Sequence, residues 1–367
     1  MNFKFFMPTQ LIFEENALIK NAVLLQNIGK KAIIMTGRHS AIVCGAQKDL
    51  TDTLEKLGIP YIVFNKVENN PTLETVAEAA LLAKQEGCDF VIGIGGGSPI
   101  DAAKAVAVLA ANSMEPMDLF KNEFTQVLPI LAVPTTAGTG SEATPYSVLV
   151  IKEKQTKLSF GNKYTYPQYA FLDYRYTLSL DREFTVNTAV DAFSHLFESY
   201  LSNRSTVHSA MIALEGLKIF GECLPSLLES KFTAEIREKL LYVSLLGGIC
   251  IAQTGVTIVH GMGYCYTFFN HIPHGKANGF LIASYMDYIY SAASEKLDYA
   301  MGVMGLQDKT ELANILLALL GKPPVLTEPE IEQYTHLTLL QKGSIANTAR
   351  TPDADDIASL WRNSMVK

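Results

Sequence analysis

The stretch GIGGGSPIDAAKA, Gly93–Ala105, decides how the first half of this chain is interpreted. It overlaps the end of DFVIGI, a short apolar run that favours a buried strand, and it leads into a helical pattern over Pro99–Ala111. Ser98 suits the N-cap of that helix, and Asp101 would complete a capping box. Because glycines let backbone amides approach a ligand and a helix start is partly positive, the loop suits a pyrophosphate. A tight turn that binds nothing is the alternative.

Short apolar runs alternate with helical patterns on both sides of this loop. The predicted buried strands are Lys31–Thr36, Tyr61–Asn65, Asp89–Ile94 and Leu128–Pro134, and Thr72–Glu86 is a further predicted helix. This alternation is typical of a parallel sheet wound with helices. A Rossmann fingerprint would lie in the first βα turn, whereas these glycines follow the third predicted strand. The sequence therefore predicts a nucleotide-binding site that is not of the Rossmann type.

The second half of the chain changes to consecutive helical patterns. Predicted helices cover Glu183–Leu201, Ser209–Phe220 and Ala234–Ala252, with no convincing strand between them. We therefore expect an α/β N-terminal dinucleotide-binding domain with a parallel sheet at residues 1–179 and an all-helical C-terminal domain at residues 180–367.

Composition and charge exclude several classes of function. The net charge of −7, without clusters of basic and aromatic residues, argues against nucleic-acid partners. Leu240–Val259 carries no charge over twenty residues, but its glycines and polar residues favour a buried helix over a membrane span. Five scattered cysteines and the absence of a signal-peptide pattern lead us to expect a cytoplasmic protein without membrane partners.

A second polar loop, PTTAGTGSE over Pro134–Glu142, follows the next predicted strand. Because parallel strands end at one edge of a sheet, we expect this loop and the glycine loop to face one cleft. Hydroxyls in the loop would bind phosphate or ribose; they belong to Thr135, Thr136, Thr139 and Ser141. A polar surface loop is the alternative.

Two segments carry histidines in unusual settings. Asp191 and His195 are four residues apart in a helical pattern, which places them on one face. His260 follows the long uncharged stretch, and His274 lies in a Pro-His-Gly sequence that favours a turn. One carboxylate and three imidazoles suit a divalent transition metal and would leave the site with a charge of about +1. His271, three residues before His274, is the competing histidine.

The motifs GGGSPIDAAK, PTTAGTGSE, DAFSH and the two His-Gly pairs together resemble the iron-dependent (group III) alcohol dehydrogenases, which share their fold with dehydroquinate synthase. The resemblance runs from the first predicted strand through at least Gly279 and is weak beyond it. It implies NAD(P)-dependent interconversion of a small, primary alcohol and its aldehyde by hydride transfer, with Fe²⁺ bound in the helical domain, although Zn²⁺ would tolerate the same ligands. The implied metal ligands are Asp191, His195, His260 and His274. The implied cofactor contacts are Gly95, Gly96, Gly97, Ser98, Asp101, Thr135, Thr136, Thr139 and Lys157, with Asn70 nearby.

Two departures from the family pattern carry information. Many relatives have an aspartate after the first predicted strand, where this chain has Gly37, then Arg38 and, two residues on, Ser40. Replacing a negative charge by a positive one predicts a preference for NADP, with NAD as the second cofactor. Four residues after His260, where many relatives have another histidine, this chain has Tyr264.

A proton relay at that position would then use the Tyr264 hydroxyl, His271 or water. Because an unperturbed tyrosine titrates near pH ~10, we expect alcohol oxidation to have an alkaline optimum.

Two other functions stay open on the sequence alone. One is a non-redox enzyme of the dehydroquinate synthase type, which also uses a metal and a nicotinamide. The other is a binding protein that keeps the fold and has lost the chemistry. The early segment FKFFMPTQLIFEE could pair with its copy in a second subunit, since exposed strand edges attract partners, and we expect a homodimer.

Overall fold

The computed structural model describes residues 3–154 and 156–365. They form two compact units, one of residues Met7–Leu180 and one of residues 3–6 and 181–365. The sequence assigned residues 3–6 to the α/β domain. They pack instead with the helical unit, where the Phe6 N–H donates to Gln253 Oε1 at 3.1 Å and Gln253 Nε2 donates to the Phe6 carbonyl at 2.9 Å.

The first unit is built on a parallel sheet, as predicted. Its strands are β1 (Gln10–Phe13), β2 (Ala32–Thr36), β3 (Tyr61–Phe64), β4 (Phe90–Gly95), β5 (Ile130–Pro134), β6 (Ser147–Ile151), β7 (Thr156–Phe160) and β8 (Tyr169–Leu172). Its α-helices are α1 (Ala17–Lys20), α2 (Ser40–Val43), α3 (Ala46–Leu57), α4 (Leu73–Gln85) and α5 (Gly97–Ala111). Six strands form one parallel sheet in the order β1-β8-β5-β4-β2-β3, and β6 and β7 form a separate antiparallel hairpin.

Helices cover both faces of the sheet because its strands alternate between two cores. Ile33 and Met35 of β2 pack with residues of α4 and α5, while Ala32 and Ile34 point into the opposite core with residues of α3. Side chains of successive strand residues point to opposite faces. A strand that is buried on both faces therefore needs the continuous apolar run that the sequence displays.

The strand order reverses at β2. The chain passes from β2 to β3 at one edge of the sheet and then returns to place β4 on the other side of β2, with Thr36 paired to Ile94. Ligands of open α/β sheets bind at such a switch point, outside the carboxyl ends of the strands. The loops that follow these two ends are the glycine loop at Gly95–Ser98 and the Gly37–Ser40 segment.

The described part of the second unit contains helices only. They are α6 (Arg182–Leu201), α7 (Val207–Leu228), α8 (Ala234–Thr254), α9 (Ile258–Phe269), α10 (His274–Val303), α11 (Lys309–Leu320), α12 (Glu328–Leu339), α13 (Lys342–Asn347) and α14 (Ala354–Ser364). Helix α6 is buried along most of its length and packs against α7, α8 and α10. It is therefore the central helix of this unit.

The uncharged stretch Leu240–Val259 is not one helix, contrary to the prediction. Helix α8 ends at Thr254 because Gly255 leaves the helix with a φ of 68°, and α9 starts at Ile258. His260 therefore lies in the first turn of α9, and His274 opens α10 instead of lying in a turn. No single helix of the described residues is long and apolar enough to cross a membrane; α8 and α9 pass that test only as a pair bent by 114°.

Candidate functional site

The glycine loop begins its helix earlier than predicted. Helix α5 starts at Gly97 with Gly96 as its N-cap residue. Ser98 therefore does not cap the helix, and Asp101 does not complete a capping box. Gly95 has a φ of 148°, a region that residues with a side chain rarely adopt, and a Cβ there would lie 2.5 Å from Pro99 Cγ. Glycine is thus required at Gly95 to turn the strand directly into the helix.

Three predicted cofactor residues lie together beside this loop. The Asn70 N–H donates to Ser98 Oγ at 3.1 Å, and Lys157 Nζ donates to Asn70 Oδ1 at 2.7 Å. Asn70 has a φ of 60°, which asparagine tolerates better than most residues. The hydroxyl that was expected to cap α5 therefore fixes the backbone of Asn70 instead.

The two polar loops are neighbours, as their position after adjacent strands requires. A Cβ on Gly96 would lie 3.1 Å from Thr136 Oγ1, and a Cβ on Gly97 would lie 2.9 Å from Thr139 Cγ2. The Thr135 N–H donates to the Gly95 carbonyl at 2.9 Å, and the Thr135 side chain is buried. The glycines therefore allow the second loop to pack directly on the first.

Two predicted cofactor residues, Asp101 and Ser141, form hydrogen bonds inside the protein. Asp101 Oδ1 accepts from Ser141 Oγ at 2.5 Å, and Asp101 Oδ2 accepts from the Val148 N–H at 3.0 Å. The fully buried Lys104 donates to Ser141 Oγ at 2.8 Å and to the Tyr146 carbonyl at 2.6 Å. These bonds hold the second loop against α5.

The same polar cluster contains groups with shifted pKa values. Burial lowers the pKa of Lys104 to about 8, although the charges of Asp101 and Glu142 oppose it. Burial raises the pKa of Glu142 to about 7. Lys104 and Glu142 were not predicted from the sequence. A lysine inside the apolar pattern of α5 and a glutamate at the end of a hydroxyl-rich loop are the signals that could have indicated them.

The predicted adenosine-side residues follow β2. A Cβ on Gly37 would make only ordinary contacts, 3.5 Å from the Val67 carbonyl oxygen and 4.0 Å from Ser40 Oγ. Arg38 is exposed, and Ser40 is the first residue of α2. The space beside Gly37 would therefore accept a larger side chain.

The predicted metal ligands converge in the helical unit. One ligand atom from each of Asp191, His195 and His260 lies within 4.8 Å of the others, and all three residues are buried. His274 Nε2 lies 3.8 Å from Asp191 Oδ1. A carboxylate with imidazole nitrogens at this spacing is a donor set that fits a divalent transition metal.

Glycines let the ligand-bearing helices approach one another. A Cβ on Gly275 would lie inside 3.0 Å of the Asn187 carbonyl oxygen and 2.8 Å from Asp191 Cβ. A Cβ on Gly247 of α8 would lie 3.2 Å from His195 Cβ. The start of α10 and the middle of α8 thus pack directly on the ligand-bearing part of α6.

Two further buried side chains contact the cluster. Asn278 Nδ2 lies 3.2 Å from Asp191 Oδ1, 3.1 Å from His260 Nε2 and 3.4 Å from His274 Nε2. Glu198 contacts His260 Nδ1 through Oε1. Burial lowers the pKa of His260, but the charge and hydrogen bond of Glu198 and the charge of Asp191 raise it above its ordinary value in sum.

Neither Glu198 nor Asn278 was predicted from the sequence. Glu198 follows Asp191 and His195 at helical spacing on the same helix, and Asn278 lies one turn after His274. That spacing is the signal that could have found them.

The two candidate relay residues lie in different surroundings. The Tyr264 ring stacks on the His274 ring, with centroids 5.6 Å apart and an interplanar angle of 14°. His271 is exposed in the α9–α10 connection and has a φ of 54°. The structure thus brings Tyr264, and not His271, into contact with a predicted metal ligand.

Comparison with known proteins identifies the family. The sequence profile of the family described as iron-containing alcohol dehydrogenase matches residues 8–174, and that of its C-terminal domain matches residues 185–365. This chain belongs to the iron-containing alcohol dehydrogenase family. The resemblance inferred from the four motifs is confirmed.

Individual iron-containing alcohol dehydrogenases are similar over most of the chain. A long-chain primary alcohol dehydrogenase of Thermoanaerobacter ethanolicus is 32% identical over 75% of this chain and 70% of its own length. A probable NADH-dependent butanol dehydrogenase of Bacillus subtilis is 31% identical over 78% and 75%. The crystal structure of an iron-containing alcohol dehydrogenase from Thermotoga maritima has 36% identity and a TM-score of 0.93, covering 100% of both chains.

Family membership decides between the functions that the sequence left open. The chain is an oxidoreductase that interconverts alcohols and aldehydes with a nicotinamide cofactor, as predicted, and iron is the metal of its family. This assignment favours the redox reaction over a non-redox enzyme of the dehydroquinate synthase type and over a binding protein without chemistry.

Proposed function

We propose that Asp191, His195, His260 and His274 hold the divalent metal of this alcohol dehydrogenase. The observation that supports this best is the convergence of Asp191, His195 and His260 from α6 and α9 to within 4.8 Å of one another in a buried position. Iron is the metal we expect, and zinc would accept the same donors. Metal analysis of the purified protein distinguishes the two.

The bound metal would supply a Lewis acid that polarises the oxygen of a small alcohol or aldehyde. The chain provides one carboxylate and three neutral imidazoles, which would leave the site with a charge of about +1. Burial of Asp191, His195 and His260 shields this charge from water and so strengthens its effect on an oxygen nearby.

The α/β unit binds the nicotinamide cofactor in this proposal. The glycine loop offers the backbone amides at the start of α5 to the pyrophosphate. Ser98, Asn70 and Lys157 line the same loop, joined by the hydrogen bonds described above. Thr136 and Thr139 add hydroxyls from the neighbouring loop, while Asp101, Thr135 and Ser141 hold these loops in place.

The experiment that tests the metal site uses Asp191→Ala and His195→Ala, with exposed His336→Ala as the matched histidine control. We expect both site variants to lose bound metal and aldehyde reduction while they still bind NADPH. His336→Ala should retain metal and activity. Full metal content and activity in Asp191→Ala would overturn the proposal.

We also propose that the enzyme prefers NADP. Support comes from the exposed Arg38 beside Gly37, where a positive charge attracts a 2′-phosphate and no aspartate repels it. Because a side chain at Gly37 meets only ordinary contacts, Gly37→Asp tests this without strain. We expect the ratio of kcat/KM for NADPH over NADH to fall at least tenfold in Gly37→Asp, and Gly37→Ala to change it little. A parent enzyme that prefers NADH would contradict the proposal.

Tyr264 is the proposed proton relay, supported by its stacking on His274. We expect Tyr264→Phe to lower kcat for alcohol oxidation and to flatten its rise toward alkaline pH. His271→Asn is the matched control and should keep the profile of the parent, because His271 is exposed. The opposite pattern would assign the relay to His271, and unchanged profiles in both variants would assign it to water.

A cytoplasmic homodimer completes the proposal. The free cysteines support a cytoplasmic location, and the exposed aromatic side chains of Phe3, Phe5 and Phe6 in the segment FKFFMPTQLIFEE support the dimer. Light scattering of the parent and of a variant with these three residues replaced by serine tests the dimer. A monomeric parent would contradict it.

A further inference from the structure

Glu198 is a fully buried carboxylate next to the proposed metal site. It lies on α6, three residues after His195 and seven after Asp191, and its side chain is 0% exposed. A carboxylate in such a position is costly unless hydrogen bonds and nearby charges compensate for the loss of water. Its partners should therefore indicate what it does.

The partners of Glu198 lie at the start of α9. Oε2 accepts hydrogen bonds from the Thr257 N–H at 2.8 Å and from Thr257 Oγ1 at 2.6 Å, while Oε1 contacts His260 Nδ1. Within the described part of the chain, His260 is its only ion-pair partner. Both carboxylate oxygens are thus used by one short segment, Thr257–His260.

The Thr257 side chain contacts Glu198 instead of capping its own helix. It is the N-cap residue of α9, a position at which a threonine hydroxyl commonly accepts a hydrogen bond from the first turn of its helix. Here the side chain makes no such cap, and its hydroxyl donates to Glu198 instead. Helix α9 therefore lacks a side-chain cap from Thr257, and the Thr257 hydroxyl holds the Glu198 carboxylate in place.

The contact with Glu198 determines which nitrogen of His260 carries a proton. An ionised carboxylate only accepts hydrogen bonds, so Nδ1 must be the donor. The lone pair of a neutral ring is then on Nε2, which lies 3.9 Å from Asp191 Oδ1 and 3.1 Å from Asn278 Nδ2. The ring is thus oriented with its donor toward Glu198 and its acceptor toward the ligand cluster.

On the basis of the metal site proposed above, we propose that Glu198 is a positioning residue. It holds His260 in the orientation and tautomer needed to bind the metal. Outer carboxylates of this kind orient a ligating imidazole and raise its basicity, and their loss typically weakens metal binding about 10- to 100-fold. Glu198 itself contributes no ligand atom. The hydrogen bonds from Thr257 to Glu198 connect the start of α9, which carries His260, to α6.

The substitution Glu198→Gln tests this with little change in volume. A glutamine has one acceptor and one donor end, so it cannot accept from both His260 Nδ1 and Thr257. If the amide donates to Nδ1, the imidazole proton moves to Nε2 and blocks metal binding. We expect the affinity for Co²⁺, measured by chelator competition on the full chain, to fall at least tenfold, with changed visible absorption bands of the bound Co²⁺.

Ser199→Ala is the matched control, since Ser199 is the next residue of α6, is equally buried, and bonds Thr254 instead of His260. It should bind Co²⁺ like the parent. Thr257→Val and Thr257→Ser form a second pair that retains Glu198. Valine removes the hydroxyl donor and should weaken Co²⁺ binding about threefold or more, whereas serine should restore the affinity.

The outcomes separate this inference from the metal site itself. A parent that binds no Co²⁺ at a site sensitive to Asp191→Ala overturns the proposed function. A parent that binds and a Glu198→Gln variant with the same affinity and spectrum overturn only the role of Glu198. A variant with reduced thermal stability but unchanged Co²⁺ affinity would also overturn it, because that is the pattern of a purely structural residue. If Glu198→Gln does not fold, the Thr257 pair decides: equal affinity in valine and serine variants overturns the role.

Discussion

The two candidate sites of this enzyme are built in opposite ways. In the α/β unit, the proposed cofactor loop is a continuous stretch whose backbone amides would bind the cofactor, and Gly95 is needed for its conformation. In the helical unit, the proposed metal ligands are side chains from three helices, α6, α9 and α10, that are distant in sequence. Glycine serves both sites, as a flexible residue in the first and as a small one in the second.

This difference determines how each site should fail. A site built from backbone amides tolerates substitution of many side chains, but it fails when the φ angle of a loop residue changes. A site built from side chains fails when the distance between the helices that carry them changes. The same small substitution, glycine to alanine, should therefore affect the two kinds of site differently.

The largest effect is expected for Gly275→Ala. The added methyl would collide with the Asn187 carbonyl oxygen and with Asp191 Cβ, and a backbone atom cannot move aside without displacing α10 from α6. We expect the loss of bound metal and a destabilisation of about 3 kcal/mol or more. Metal analysis and calorimetry measure the two effects.

Gly302→Ala is the control for Gly275→Ala, because it lies near the C-terminal end of α10, beyond the kink at Ala293, and its Cβ would meet nothing within 4 Å. Alanine there should keep the metal and raise stability by up to about 1 kcal/mol. Retention of metal by Gly275→Ala would show that close helix packing is not what assembles the cluster.

The next effect is expected for Gly95→Ala in the α/β unit. Its φ of 148° and the approach to Pro99 should cost about 1–3 kcal/mol and change the direction of the loop amides. We expect the Kd for NADPH to rise at least tenfold while metal content stays the same. Gly87→Ala, with a φ of 64° and no atom near its Cβ, is the strained control and should leave binding unchanged. Normal NADPH binding in Gly95→Ala would favour a turn that binds nothing.

The sequence was informative where a pattern was continuous. The strands β2, β3, β4 and β5 were predicted to within two residues because each is a short apolar run, although β3 is only partly buried and Phe64 is its one buried residue. Strand β7 was missed because polar residues such as Lys157 lie between its apolar ones, and β6 was missed although Val148–Ile151 is an apolar run. Strand β8 was also missed.

At the metal site, the sequence indicated which residues belong together but not how helices place them. The spacing of Asp191 and His195 fixed one helical face, whereas the break at Gly255 that puts His260 in a new helix follows from a single positive φ angle. Ser98 was assigned a capping role because the residue type fits. The contact with Asn70 that replaces it depends on the fold bringing residue 70 near the loop.

The charge of Glu142 makes the buried polar groups of the α/β unit sensitive to pH, and removing that charge tests them separately from the proposed metal ligands. Burial raises the pKa of Glu142 from 4.5 to about 7, so stability that is present below pH ~4.5 is lost as the pH rises through 7. The shift corresponds to at most about 3 kcal/mol. Burial lowers the pKa of Lys104 to about 8, so the contribution of Lys104 to stability is lost as the pH falls through 8. Its effect therefore lies mainly above the pH range in which Glu142 titrates.

We expect the parent Tm to fall by about 5 °C between pH 5 and pH 7.5 and Glu142→Gln to lose much less. Exposed Glu115→Gln should behave as the parent does. Equal falls in the parent and in Glu142→Gln would show that this carboxyl does not gain a proton on burial.

The smallest effect is expected for Gly263→Ala, which sharpens the comparison within the metal cluster. A Cβ there would lie inside 3.0 Å of Asn278 Oδ1, the end of a side chain that can rotate, and no backbone atom comes as near. The gain of up to about 1 kcal/mol from alanine in α9 should offset that movement, so we expect a Tm within about 3 °C of the parent. Because Asn278 would turn away from Asp191 and His260, Co²⁺ affinity should change by less than about tenfold in chelator competition. Loss of metal as complete as in Gly275→Ala would mean that displacing one amide disturbs the cluster as much as displacing a helix.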